Sequence, residues 1–133
     1  MKKRILVIDD EEIITSLLQD CLEQMGHEVT VANSGLEGLR RVANVKPDVI
    51  TLDIKMPGLS GIDVLKRLKD NSMTKDISVI LVSAYGDEYR KEALTLGADE
   101  VMRKPLDFIN FKRRINSVPL DDLETEPLNA VSC

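Results

Sequence analysis

Five polar residues stand where short apolar runs stop. Asp9 and Asp10 follow the run 5–8, Asp53 follows 49–52, and Ser83 follows 79–82. Lys104, between Arg103 and Pro105, follows a weaker run at Val101-Met102. If these positions converge, three carboxylates share one place with a hydroxyl and an ammonium. Two carboxylates about 4 Å apart repel by roughly 4 kcal/mol at an effective dielectric of about 20. The run Asp9-Asp10-Glu11-Glu12 therefore needs a cation, or side chains that diverge. Hard oxygen ligands without Cys or His beside them suit Mg²⁺ or Mn²⁺. A carboxylate beside such an ion can attack a phosphoryl group and become an aspartyl phosphate. The metal, the Lys104 ammonium and the Ser83 hydroxyl would then hold the equatorial oxygens, where transition-state charge collects. Residue types alone leave open which carboxylate attacks. Any one of these residues could equally be a strand end turning polar as it reaches water. Five of them at corresponding places are much harder to dismiss.

Convergence requires a particular scaffold. The apolar runs at 5–8, 29–32, 49–52, 79–82 and 101–102 are short and rich in Val and Ile, as strands buried on both faces should be. Helical periods lie between them. Ile13, Ile14, Leu17, Leu18, Cys21, Leu22 and Met25 recur at i, i+3 and i+4, and Gly26 stops that helix. Leu36, Leu39 and Val42-Ala43 mark a second helix, closed before Pro47. Ile62, Leu65 and Leu68 mark a third, and Tyr89, Ala93 and Leu96, ended by Gly97, a fourth. Phe108, Phe111 and Ile115 mark a fifth, with Lys112-Arg113-Arg114 as its solvated face. Five β-α units with short joints predict an α/β fold, a parallel sheet covered by helices on both faces. In such a sheet, ligands bind at the carboxyl ends of the strands, near the topological switch point.

A chain of 133 residues, 43% hydrophobic and 31% charged, suits one globular domain with a core of its own. The net charge of -5 argues against direct nucleic-acid binding. No apolar run approaches the ~20 residues of a membrane span. The basic start, Met1-Lys2-Lys3-Arg4, precedes too short an apolar stretch for a signal peptide. A cytoplasmic location is expected, without membrane contact. Cys21 is read as core packing, Cys133 as the last residue and outside any structural disulfide, and His27 as without a chemical role. Residues 119–133, PLDDLETEPLNAVSC, lack periodicity and read as an acidic, Pro-containing tail or linker after a domain spanning 1–118.

VIDDEE at 7–12, LDIKMPGLSG at 52–61, VSA at 82–84 and KP at 104–105 occur in this order and spacing. With them the chain resembles the receiver domain of two-component response regulators, over roughly residues 3–117. The resemblance implies a flavodoxin-like, doubly wound (βα)5 fold of CheY type with strand order 2-1-3-4-5. It implies a signalling domain, not a turnover enzyme, which catalyses only its own phosphorylation and slow dephosphorylation. Asp53 would be the phosphoacceptor. Asp10, Asp53 and the backbone carbonyl of Lys55 would ligate Mg²⁺, with Asp9 acting largely through a water. Ser83 and Lys104 would each bond a phosphoryl oxygen. A cis bond before Pro105 would aim Lys104 inward. Met56-Pro57-Gly58 and Gly61 would shape the loop after Asp53, where glycine supplies positive φ. The implied partners are a sensor histidine kinase or phosphotransfer protein as donor, with acetyl phosphate as a small alternative. Downstream stands an effector domain or protein, and homodimerisation is left open. Glu11 and Glu12 then belong mainly to the opening of the first helix, where negative charge complements the dipole, the alternative being that they tune the metal site.

The chain departs from the family at Val101, where receivers usually carry Tyr or Phe three residues before the lysine. Tyr85 is a nearby aromatic that could substitute, or simply an exposed loop residue. The Lys55 side chain either sits over the phosphoryl group and tunes its hydrolysis or stays in solvent. Two other function classes compete. A phosphate-ester hydrolase with an aspartyl nucleophile would carry D-x-D, but Lys55 stands where its second Asp belongs, and no cap domain can be recognised. A phosphorylation-independent module with a relic site is disfavoured by the complete set Asp9, Asp10, Asp53, Ser83 and Lys104. Nucleotide binding is disfavoured because no G-x-G-x-x-G follows the first strand.

Overall fold

A computed structural model of the chain describes residues 2–84 and 86–119. Strands and helices alternate: β1 (Arg4–Ile8), α1 (Glu12–Gln24), β2 (Glu28–Ala32), α2 (Gly35–Val45), β3 (Val49–Leu52), α3 (Gly61–Asp70), β4 (Ser78–Ser83), α4 (Gly86–Thr95), β5 (Glu100–Arg103) and α5 (Phe108–Ser117). The strands form one sheet in the order β2-β1-β3-β4-β5, and every neighbouring pair is parallel. The readings of Tyr85 and of the tail beyond Pro119 lie outside the described residues.

The period of two in each strand splits the core into two layers. Leu6, Ile8, Ile50, Leu52, Val79 and Leu81 pack with Val42 of α2, Val64, Leu65 and Leu68 of α3 and Ala93 of α4. Ile5, Val7, Val49, Ile80 and Val82 pack on the other side with Leu18 and Leu22 of α1 and with Phe111 and Ile115 of α5. Burying one such aliphatic side chain contributes roughly 1.5–3 kcal/mol. The expectation of strands buried on both faces holds for β1, β3 and β4. It fails for β2, where Val29, Thr30 and Val31 are only half-buried, because β2 is an edge strand.

Local chemistry sets the helix ends. Ser34 accepts from the Glu37 amide, Asp107 from the Asn110 amide, and Ser60 forms a reciprocal capping box with Asp63. Some periodic apolar residues do not reach the core. Ile13 and Leu17 of α1 and Leu36 of α2 face solvent. The basic run on α5 is not wholly a solvated face either: Arg114 donates through Nη2 to the Asp99 carbonyl at 2.9 Å, and its Nε is buried. Cys21 is half-buried on α1. His27 is buried with Nδ1 accepting from the Lys3 amide at 3.0 Å. Burial, then the Lys3 charge, push its pKa down to about 4.

The loop between β3 and α3 uses its two glycines for different reasons. Gly58 takes φ +78°, a left-handed conformation that favours glycine. Gly61 has no positive φ, and its need is space: a Cβ there would overlap the Asp53 carbonyl oxygen and lie against the Ile54 Cα. Its amide also donates to the Ile54 carbonyl at 2.7 Å, so the turn cannot simply swing away. Gly61→Ala should therefore cost about 2 kcal/mol, the usual scale of overpacking. Urea unfolding measures it, and an unchanged midpoint would show that the turn relaxes freely.

Candidate functional site

The sheet delivers its polar residues to one edge by extending backbone pairing one residue past the strands. The Asp9 amide donates to the Ala32 carbonyl at 3.1 Å, the Asp53 amide to the Ile8 carbonyl at 3.0 Å, and the Lys104 amide to the Ser83 carbonyl at 3.0 Å. Three side-chain positions after β1, β3 and β5 are thus fixed by main-chain bonds. Asp9, Asp10 and Asp53 each offer a carboxylate oxygen, and these oxygens lie within 4.8 Å of one another. Asp9 and Asp53 are buried, while Asp10 is exposed. Ser83 closes β4 and is fully buried, at 0% exposure.

Lys104 lies at the centre of the group. Its Nζ is 2.9 Å from Asp9 Oδ2, 3.1 Å from Glu11 Oε1 and 3.4 Å from Asp53 Oδ1. The Lys104–Pro105 peptide is cis. The expected meeting of Asp9, Asp10, Asp53 and Lys104 is therefore observed, with Ser83 at the end of the strand between β3 and β5.

The charges shape one another. Burial pushes the Asp53 carboxyl up to about 6, the neighbouring Asp9 charge adds to the rise, and Lys104 opposes it. Burial also raises Asp9, against the hydrogen bonds from Lys104 and from the Glu11 amide. Burial alone would lower Lys104, but the Asp9 hydrogen bond and the charges of Asp53 and Asp9 outweigh it, and the ammonium is held well above its usual range. The set is all oxygen, with one ammonium beside it, which fits a hard divalent ion.

One expectation changes. Glu11 occupies the position before α1 but makes no side-chain cap bond, and its carboxylate goes to Lys104 instead. The contact brings Glu11 to the acidic group, which the lesser of its two readings in sequence allowed. Its spacing from Lys104 in sequence, 93 residues, offered no local signal. Lys55 is exposed, as the solvent reading expected, and its Nζ stands over the Tyr89 ring of α4, 5.3 Å from the centroid. Val101 is buried in β5, opposite Leu81 of β4.

The profile of the response regulator receiver domain matches residues 5–116. The alkaline phosphatase synthesis transcriptional regulatory protein PhoP of Bacillus subtilis is 39% identical over 119 residues, covering 89% of this chain and 49% of that protein. Sporulation initiation phosphotransferase F, also of Bacillus subtilis, is 37% identical over 108 residues, covering 80% of this chain and 86% of its own length. The chain spans about half the length of the longer regulators it matches, 49% of PhoP and 51% of PhoB from Pseudomonas aeruginosa. The crystal structure of response regulator TrrA from Thermotoga maritima, in complex with Mg²⁺-BeF, superposes with a TM-score of 0.80 at 36% identity, covering 88% of this chain and 99% of that one. Vibrio cholerae chemotaxis protein CheY4, 24% identical with a TM-score of 0.82, shares the fold. Among the described residues no helix is long and apolar enough to cross a membrane. With its sheet order, its acidic edge and its profile match in agreement, this chain belongs to the response regulator receiver domain family, the phosphorylation-dependent switches of two-component signalling.

Proposed function

We propose that Asp53 accepts a phosphoryl group and that this modification is the switch. The observation that carries the reading is the Asp53 carboxylate itself: it is buried, grouped with Asp9 and Asp10, and 3.4 Å from the Lys104 ammonium. An Asp53 oxygen forms a bond to phosphorus as the bond from phosphorus to a donor imidazole nitrogen breaks. The bonding pair leaves with that nitrogen, which takes up a proton. With acetyl phosphate, the pair leaves with the acetate oxygen. Lys104 and the Ser83 hydroxyl bond the phosphoryl oxygens and offset their charge. Asp10, Asp53 and the Lys55 carbonyl would hold Mg²⁺ or Mn²⁺, which would supply the remaining charge neutralisation. Asp9 takes a more indirect part, because its two oxygens already accept from Lys104 and from the Glu11 amide.

In this reading residues 1–118 are the receiver unit, and 119–133 are its tail or a linker. The unit catalyses only its own phosphorylation and slow dephosphorylation, in the cytoplasm. A histidine kinase or phosphotransfer protein is the donor, and an effector domain or protein receives the output. Exposed apolar residues support donor docking beside the site: Ile13 and Leu17 on α1, Phe108 and Ile109 on α5. A hollow of about 130 Å³ between the two helices is lined by Leu17, Pro105, Phe108 and Lys104 itself. Phosphorylation adds charge at the sheet edge and biases a two-state surface. Moving that surface from 1:99 to 99:1 takes about 5.5 kcal/mol of differential stabilisation. Val101 has no polar or aromatic group to reorient, so the response runs through Ser83 and the loop after β4.

Asp53→Asn should abolish hydroxylamine-sensitive labelling by a phosphodonor with Mg²⁺, and labelling at the wild-type level would remove Asp53 from its role. The raised pKa of Asp53 gives an independent check. The folded carboxyl, at about 6, holds its proton more tightly than an unfolded one at about 3.9. This group's contribution to stability is full below about pH 4 and is lost as pH rises through about 6. In the presence of chelator, Asp53→Asn should therefore gain on the wild type as pH rises. The difference should widen by about 2 kcal/mol between about pH 4.5 and about pH 7.5 in urea unfolding. A constant difference across that range would contradict the shift.

A further inference from the structure

We propose that Glu11 is a positioning residue that competes with the incoming phosphoryl group for Lys104, a role that rests on Asp53 being the acceptor. An ammonium has three donors. In this structure all three have a carboxylate partner: Asp9, Glu11 and Asp53. The three partners are not equivalent. Asp9 and Asp53 belong to the group that could hold a metal ion, and Glu11 does not. A divalent cation held at that group would offset the charge of Asp53 directly and that of Asp9 less directly, and would leave Glu11 with its full attraction for Lys104. The balance for Lys104 would then shift toward Glu11 and away from the acceptor oxygen.

The helix end does not explain how Glu11 is oriented. It stands at the position before α1, yet its side chain caps no amide there. Its backbone amide, by contrast, donates to Asp9 Oδ1 at 3.0 Å, which fixes where the Glu11 side chain starts. The carboxylate then spans the mouth of the site to reach an ammonium that is only 13% exposed, while remaining 61% exposed itself. An exposed carboxylate holds a lysine weakly, and salt screens the hold. That suits a partner that must yield: a phosphoryl dianion, deeper in the site and carrying more charge, takes the lysine over. Glu11 therefore sets how readily Lys104 turns inward, without touching the reacting atoms.

The test compares initial rates of Asp53 phosphorylation by acetyl phosphate with Mg²⁺ in the full chain. Glu11→Gln keeps an acceptor oxygen and removes the charge. It should react roughly two- to fivefold faster than the wild type at low ionic strength, the range expected for an exposed ion pair. The advantage should shrink toward unity in high salt. Removing a negative charge also eases approach of an anionic donor, so the same pair is compared in a Lys104→Gln background, where only that general effect remains and the ratio should be clearly smaller. A ratio at or below one at low salt overturns the proposal, as does an advantage that survives high salt or that is undiminished by loss of Lys104. Equal urea midpoints for Glu11→Gln and wild type exclude a folding effect. Failure of the wild type to label would instead strike the assignment of Asp53, so the two ideas fall separately.

Discussion

Burying like charges together requires a counter-charge held among them, and Lys104 is that counter-charge. Asp9 and Asp53 are nearly inaccessible to water, and neither could stay ionised there alone. The ammonium meets both, and its own affinity for the proton rises as theirs for a proton is restrained. The arrangement remains uneasy: burial still pushes Asp53 up to about 6. An incomplete balance of this kind leaves room for a second cation and for an electrophile, which is what a reactive carboxylate needs.

The parallel sheet makes the cluster possible in backbone terms. Parallel strands end at the same side, so residues just past β1, β3 and β5 share an edge whatever their separation along the chain. Main-chain bonds at Asp9, Asp53 and Lys104 continue the sheet's pairing into the site, so the side chains do not depend on mobile loops for their placement. Gly61 serves the same end from the other direction, letting the chain return against the Asp53 carbonyl. The response side is built differently from the usual pattern the resemblance implies. Val101 is packed in the core, Lys55 reaches across to Tyr89, and Arg90 donates to the Val101 carbonyl at 2.9 Å. Helix α4 is thus tied both to the loop after Asp53 and to β5 by cationic side chains.

Where sequence reasoning succeeded and failed has a physical logic. The central strands were legible because burial on both faces demands unbroken apolar runs, as in 5–8 and 79–82. Strand β2 reads the same in sequence but is half-buried, since an edge position is a property of the sheet, not of the run. Ile13 and Leu17 fit the helical period of α1 yet lie outside the core, because the apolar stripe of α1 is wider than the face the sheet covers. Arg114 fits a solvated basic run, but its reach to the Asp99 carbonyl is set by how α5 lies over the neighbouring turn.

For the site, the chain by itself determined which chemistry was available. Carboxylates, a hydroxyl and a lysine placed after apolar runs admit hard-metal and phosphoryl chemistry, because polar strand ends are common singly but a matched set of three acids, a hydroxyl and an ammonium is not. Only the folded structure decided the pairings. Lys104 and Glu11 are 93 residues apart, as Lys104 and Asp53 are 51 apart, and nothing local links them. An ammonium chooses its carboxylates by distance in space and by what else those carboxylates bond. Both quantities come into being only when the ends of β1, β3, β4 and β5 are brought to one edge.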